Sequence, residues 1–443
     1  MAVPLKIAID AQISRDSMGG VASVTMALIH ALGQLRDGSE AYTIIVSSPE
    51  QLEWLNPILG PNQQSAVRPH SPSYRERVQR WVGGTTFSRL VRHTLRPLQS
   101  VVKYIQQPVD SRLWPEVPLS DGFYESLGCD VVHIPTKNFV LCALPTVYNP
   151  HDLQHLHYPQ FFTPSVIAWR ETIYPAGCHF ANTVIVGSQW VKDDIVRRYR
   201  IDPDKIQVIP EGPPTGLQPE PSQDVLTATK EKYQLEQPFG LYPAITWPHK
   251  NHIPLLEALA HLRDTRNLII RLVCTGSRYE AFWLHIKSRV DELQLSPQVK
   301  FLGFVPDEDL RAIYRLSQFV IVPSLFEASS LPIYEAWLEG IPVACSNAAA
   351  LPEQVMNAAL LFDPHSVESI ANAIGKLAAD AKVRARLTKW GQQRLQDFDW
   401  ERTAKAYRAV YRRAAGFPLT EEDHWLLSHD WMRQPQRNLE ARL

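Results

Sequence analysis

Cysteine is scarce in this chain of 443 residues, and the five present do not pair by spacing. Cys129, Cys142, Cys178, Cys274 and Cys345 form no C-x-x-C motif, their number is odd, and each sits in an apolar stretch. That excludes a disulfide framework and a cysteine-based zinc site, and implies buried thiols in a reducing compartment. Glycine is also low: 20 residues against 35 prolines, the reverse of average usage. No G-x-G-x-x-G is present, so the dinucleotide-binding fingerprint is missing. Net charge is nearly absent, with 45 Lys+Arg against 46 Asp+Glu. A chain so balanced is no general nucleic-acid binder. No apolar run reaches the roughly 18 residues that a membrane-spanning helix needs. The N-terminus runs directly into a strand-like segment without the basic and apolar regions of a signal peptide. A cytoplasmic location is therefore expected.

What is present is ordinary globular composition, 45% hydrophobic and 21% charged, which excludes disorder or coiled coil for the whole. At about 100–200 residues per domain, two large domains are expected. Short apolar runs alternate with amphipathic stretches. Strands are predicted at 5–9, 42–46, 131–134, 146–148, 183–186 and 207–209, and in a second series at 239–242, 269–274, 299–302, 319–322, 342–345 and 359–362. Helical patterns lie between them, which means βαβ units and mostly parallel sheets. Between the two series, residues 210–222 hold five prolines and two glycines, the mark of an interdomain connection. The fold class is therefore α/β, with two doubly wound domains. Each has its ligand crevice at the carboxyl ends of its strands. The bounds read as 1–212 for the first domain, 213–237 for the linker and 238–397 for the second domain.

One stretch, about 61–125, breaks the pattern and reads as an insertion. From Arg68 to Arg112 it carries nine basic residues and two acidic ones, interleaved with Trp81, Phe87 and Tyr104. Such a segment can lie on anionic lipid. The alternative is a solvated insertion packed on the first domain.

The densest constellation is Pro323-Ser-Leu-Phe-Glu327-Ala-Ser-Ser-Leu-Pro-Ile-Tyr-Glu335, which follows a strand and opens a helix. Ser329 and Ser330 are candidate N-caps, and Pro332 suits the first turn. The N–H groups at Ser330 and Leu331 would form an anion site. Glu327 can reach past a bound phosphate, and Glu335, one turn inside the helix, can take two vicinal hydroxyls. Read blandly, Glu335 only complements the helix dipole and Glu327 is a surface residue. Lys250, after the first strand of the second domain, could pair with a diphosphate or could be a solvated lysine. Gly19-Gly20 lets the backbone approach a ligand without a Cβ in the way. His151-Asp152-Leu-Gln-His155-Leu-His157 follows a strand, and its spacing matches no common zinc pattern, so a crevice-facing imidazole is the better reading. D-x-D occurs at Asp202, Asp307 and Asp397. The first two lie in turn or helix-start contexts that favour Asp anyway. No metal ligands are expected.

Together these motifs resemble the GT-B glycosyltransferases, specifically the retaining family 4 group, from Ile7 to about Arg413. The Glu-x7-Glu signature matches Glu327 and Glu335, the Gly-Gly loop Gly19-Gly20, and the His-Asp motif His151-Asp152. Trp247-Pro-His-Lys-Asn251, Val186-Gly-Ser-Gln-Trp-Val-Lys192 and Leu302-Gly-Phe-Val-Pro306 match further segments. The resemblance implies two Rossmann-like domains facing a central cleft. It also implies a last helix, within 398–443, that crosses back to the first domain and is followed by a tail. Glu335 would bind ribose hydroxyls. Lys250 with the Ser330 and Leu331 N–H groups would hold the diphosphate. Glu327 and His151 would be the catalytic pair at the donor sugar, and Gly19 and Gly20 would let the first domain close. The family often has an Arg five residues before the Lys, where Ile245 stands here.

The implied activity is retaining transfer of a sugar from a GDP- or UDP-sugar to a carbohydrate or lipid-linked acceptor, as in polysaccharide or glycolipid assembly. No obligatory cofactor and no nucleic-acid partner are implied. Peripheral membrane contact through 68–112 would fit a lipid-linked acceptor. The alternatives are a sugar-nucleotide epimerase or hydrolase, or an inactive sugar-nucleotide-binding protein.

Overall fold

A computed structural model of the chain describes residues 4–13, 19–69, 116–213, 220–235 and 238–431. Among these, thirteen strands form two wholly parallel sheets. The first contains β1 (Lys6–Asp10), β2 (Ala41–Val46), β3 (Gln63–Val67), β4 (Val131–Ile134), β5 (Thr146–Tyr148), β6 (Thr183–Val186) and β7 (Ile206–Val208), in the order β3-β2-β1-β4-β5-β6-β7. The second contains β8 (Phe239–Pro243), β9 (Arg271–Thr275), β10 (Val299–Gly303), β11 (Phe319–Val322), β12 (Val343–Ser346) and β13 (Leu360–Phe362), in the order β10-β9-β8-β11-β12-β13. The two domains are thus doubly wound, as the alternating pattern predicts. Strands covered on both faces read as continuous apolar runs. In β4, β6 and β11 every residue is buried.

Strand order reverses between β1 and β4 in the first sheet and between β8 and β11 in the second. Crevices open at such switch points, beyond the carboxyl ends of the strands. The helices that matter are α1 (Gly20–Gln34), α2 (Pro164–Phe180), α3 (Gln189–Tyr199), α4 (Gln223–Lys232), α5 (Asp307–Leu316), α6 (Leu331–Leu338), α7 (Leu351–Val355), α8 (Ala381–Leu395) and α9 (Trp400–Ala414).

Two boundaries differ from the sequence reading. The sequence pattern places the insertion from about 61, yet Gln63–Val67 is the edge strand β3, in register with Tyr42–Val46. Its polar, half-exposed residues hide it from a hydrophobicity pattern. The charged part from 70 to 112 lies outside the described residues. The stretch 213–237 reads as linker from its composition, yet it contains α4. Lys232 Nζ lies 2.6 Å from Asp309 Oδ2, and Tyr233 Oη donates to the same oxygen at 2.8 Å, so this helix belongs to the second domain.

Helix α9 packs against the first sheet. Asp399 caps it, accepting the Glu401 and Arg402 N–H groups. His133 Nε2–H donates to Asn149 Oδ1, Asn149 Nδ2 donates to Tyr407 Oη, and Tyr411 Oη donates to His133 Nδ1, each at 2.8 Å. Burial pushes His133 down to about 4, so the neutral ring keeps this pattern. Arg408 pairs with Asp37 and Arg412 with Glu40. The connection meets α9 at Gly212, where a Cβ would stand 2.6 Å from Trp400 Cδ1. Only glycine admits that approach.

Candidate active site

The expected site residues gather where the two switch points face each other. Gly19 is the N-cap of α1, and Gly20 begins the helix. A Cβ on Gly20 would meet only Leu331 Cδ1, at 3.9 Å. The protein's own packing therefore does not demand a glycine there. What the glycine leaves is open space between α1 of one domain and the start of α6 of the other.

On the second domain, Lys250 closes the turn after β8. Its Nζ lies 2.5 Å from Glu327 Oε1, with both side chains mostly buried. The lysine expected on a diphosphate is thus held by the carboxylate expected on the donor sugar. Ser330 departs from expectation. Its N–H donates to Gln354 Oε1 at 2.9 Å, so it is not a free anion donor. A side chain 24 residues away claims it, which no local spacing reveals. Leu331, the first residue of α6, keeps an N–H with no intrahelical acceptor. The Ser330 hydroxyl is buried without a hydrogen-bond partner, and that of Ser329 is buried beside Glu211.

Glu335 lies one turn into α6. Burial pushes its carboxyl up, opposed by the hydrogen bond from Tyr314 Oη to Oε2 and aided by the charge of Asp307. With Tyr314 and Leu331 it lines an interdomain cleft of about 1030 Å³, whose other wall includes Ser23 and Met26 of α1.

His151 follows β5 with φ at +65°. A bulky residue in that region carries strain, the kind found at functional sites. Its ring lies 2.7 Å from Pro135 O through Nε2. A carbonyl only accepts, so Nε2 carries the proton and Nδ1 is the acceptor. Burial pushes the imidazole down to about 4, so it is neutral at pH 7. His155 and His157 turn elsewhere, to Glu171 and Asp194, each at 2.7 Å, so the three rings do not converge.

Three residues without an expected role complete this wall. Burial alone would raise Asp152. Lys137 at 3.4 Å and Arg170 at 3.6 Å outweigh that and hold it well below the usual carboxylate range. Lys137 and Asp152 also act electrostatically on His249, beside Lys250, so the two loops oppose each other. The available signal was position, since Lys137 follows β4 at the switch point. Glu211, in the connection, is a fourth such residue. Burial pushes it up to about 7, and Ser329 is its polar neighbour. The folded state holds this proton more tightly than the unfolded chain, where the value is 4.5. Its contribution to stability is present below pH 4.5 and lost as pH rises towards about 7. Glu211→Gln should therefore flatten the fall in melting temperature across that window; an unchanged pH dependence would contradict this.

Two family models match the chain: "Glycosyltransferase Family 4" over residues 18–216 and "Glycosyl transferases group 1" over 228–394. The chain is 28% identical over 268 residues to O-antigen chain mannosyltransferase B of Escherichia coli, covering 59% of this chain and 69% of that protein. It is 29% identical over 246 residues to D-inositol 3-phosphate glycosyltransferase of Corynebacterium glutamicum (strain R), covering 53% of this chain and 58% of that protein. The chain thus spans little more than half of the latter. Among solved structures, sucrose-phosphate synthase from Thermosynechococcus elongatus superposes with a TM-score of 0.65 at 20% identity, covering 92% of this chain and 98% of that one. HepE of Anabaena in complex with UDP and glucose gives 0.63 at 18%, covering 92% and 100%. These two similarities concern the fold.

Proposed function

From the premise that the chain belongs to the group 1, family 4 glycosyltransferases of GT-B fold, we propose that it is a retaining hexosyltransferase using a GDP- or UDP-sugar. The observation that carries this reading is the opposition of Gly20 to Leu331 across the cleft. Glu335 lines that cleft beside Leu331, the second domain also carries the Lys250–Glu327 pair, and neutral His151 follows β5 of the first.

In this scheme the diphosphate enters between Gly20 and Leu331. It draws Lys250 off Glu327 and meets the Leu331 N–H and the positive end of α6. Glu327, released, accepts hydroxyls of the donor sugar. Glu335, with one oxygen on Tyr314, accepts ribose hydroxyls with the other. His151 Nδ1 accepts from the sugar at the reacting centre. The bond from the anomeric carbon to the phosphate oxygen breaks as the acceptor oxygen bonds on the same face, and the acceptor proton passes to the departing diphosphate. Charge develops on that leaving group, where fixed donors stabilise it most. Lys250 and the positive end of α6 offset this negative charge, so the scheme asks for no metal ion.

The acceptor is proposed to be carbohydrate or lipid-linked, as the name of the O-antigen mannosyltransferase relative supports. If 68–112 brings the chain to anionic lipid, flotation with anionic vesicles should occur at low salt and vanish at high salt; no flotation at low salt would reject that contact. Ile245, in place of a cation, favours a second reading, an inactive sugar-nucleotide binder. Product analysis with GDP- and UDP-sugars and a chelator present separates the readings. Sugar on an acceptor with the anomeric configuration kept supports retaining transfer. An altered free sugar nucleotide means epimerase or hydrolase chemistry, and binding without turnover means the inactive protein.

A further inference from the structure

The structure assigns Glu353 as an interdomain clasp, a positioning residue that sets how closely the two walls of the cleft approach. Glu353 lies on the short helix α7 of the second domain. Its Oε1 accepts the Gln189 N–H at 2.6 Å and its Oε2 the Trp190 N–H at 2.9 Å, both at the start of α3 in the first domain. These opening amides have no acceptor within their own helix, and a carboxylate is the group best suited to them. Ser188 takes a third amide there, that of Val191.

The same short helix also holds the donor loop. The Ala350 N–H donates to Glu327 O at 3.1 Å. The Gln354 side chain takes the Ser330 N–H at 2.9 Å and donates to Ser330 O at 3.0 Å. Fully buried Arg394 of α8 anchors its far end, donating to Glu353 O at 3.1 Å and Gln354 O at 3.0 Å. Thus one segment grips both ends of the loop 327–330 and reaches across to the opposite domain. Beside it, Tyr158 Oη donates to Leu325 O at 3.1 Å, and Phe326 packs between Trp190 and His157. Opening the cleft breaks the two bonds to Glu353. Closing it remakes them while the loop geometry is held constant. Donor affinity, set by the loop, and turnover, set by the distance between walls, therefore separate at this residue.

The activity arm of the test rests on the transferase reading; the shape arm does not. Full-length Glu353→Ala and Glu353→Gln are compared with wild type, Gln keeping one acceptor oxygen. Solution scattering should show a larger radius of gyration for ligand-free Glu353→Ala, with Glu353→Gln between the two. Nucleotide diphosphate affinity should be unchanged in both. Turnover should fall about 10- to 100-fold in Glu353→Ala, the loss of charge-assisted bonds made only when closed, and less in Glu353→Gln. Scattering and turnover equal to wild type would overturn the clasp. So would a loss of nucleotide affinity in step with turnover. If wild type binds no nucleotide diphosphate, the transferase reading fails, and the scattering comparison still decides the clasp.

Discussion

Replacing Lys250 by alanine should lower turnover about 10²- to 10³-fold, the usual cost of removing a fixed group aimed at developing charge. Nucleotide diphosphate affinity should fall as well, because the lysine is the side-chain cation that the scheme sets against the diphosphate and its loss leaves the Glu327 carboxylate unpaired beside it. The variant also strands Glu327 in a site where its side chain is only 12% exposed. Breaking a buried pair from one side destabilises more than removing both partners. Glu327→Gln on the Lys250→Ala background should therefore recover melting temperature without recovering turnover. Steady-state kinetics with melting curves for both proteins checks this. Near-normal turnover in Lys250→Ala would remove the lysine from the leaving-group site.

His151→Gly should cut turnover by about 10²- to 10³-fold, the size seen when a polar contact at the reacting centre is lost, while leaving stability close to that of wild type. Both effects come from one geometry. At φ +65° glycine is unstrained where histidine is not, and relief of such strain is worth about 1 kcal/mol or more. Against it stands the lost bond to Pro135 O, typically about 1 kcal/mol. A protein as stable as wild type and nearly inactive is the expected result. Because His151 titrates at about 4, it keeps one protonation state through neutral pH, and no limb of the pH–rate profile near 6–7 should belong to it. Full activity in His151→Gly would exclude it from the site.

What the sequence could reveal depended on range. Strands buried on both faces, such as Val131–Ile134 and Phe319–Val322, announce themselves by composition alone. The loop from Glu327 to Glu335 is local, so its placement between β11 and α6 follows from spacing. Edge strand β3 is not visible in the hydrophobicity pattern because it lies on a sheet margin, where apolar residues are not required: Gln64 is exposed, and Gln63 commits its amide to Gly60 N and Ile29 O. The Ser330 amide reads as free from local spacing because its partner, Gln354, is remote in sequence. The Lys137–Asp152–Arg170 cluster escaped for the same reason, its members coming from the loops after β4 and β5 and from α2. Glu353 is the extreme case. Nothing in Leu351-Pro-Glu-Gln-Val355 indicates that its carboxylate ends on a helix of the other domain.

The central claim is that the cleft holds a nucleotide diphosphate with its ribose on Glu335. Calorimetric titration of wild type and Glu335→Ala with GDP or UDP and the matching 2′-deoxy nucleotide tests it most directly. Wild type should bind the deoxy form about 10- to 100-fold more weakly, the loss of a hydrogen bond to a charged group, and Glu335→Ala should show no such difference. Equal binding of the two nucleotides by wild type, or the same penalty in both proteins, would contradict the claim.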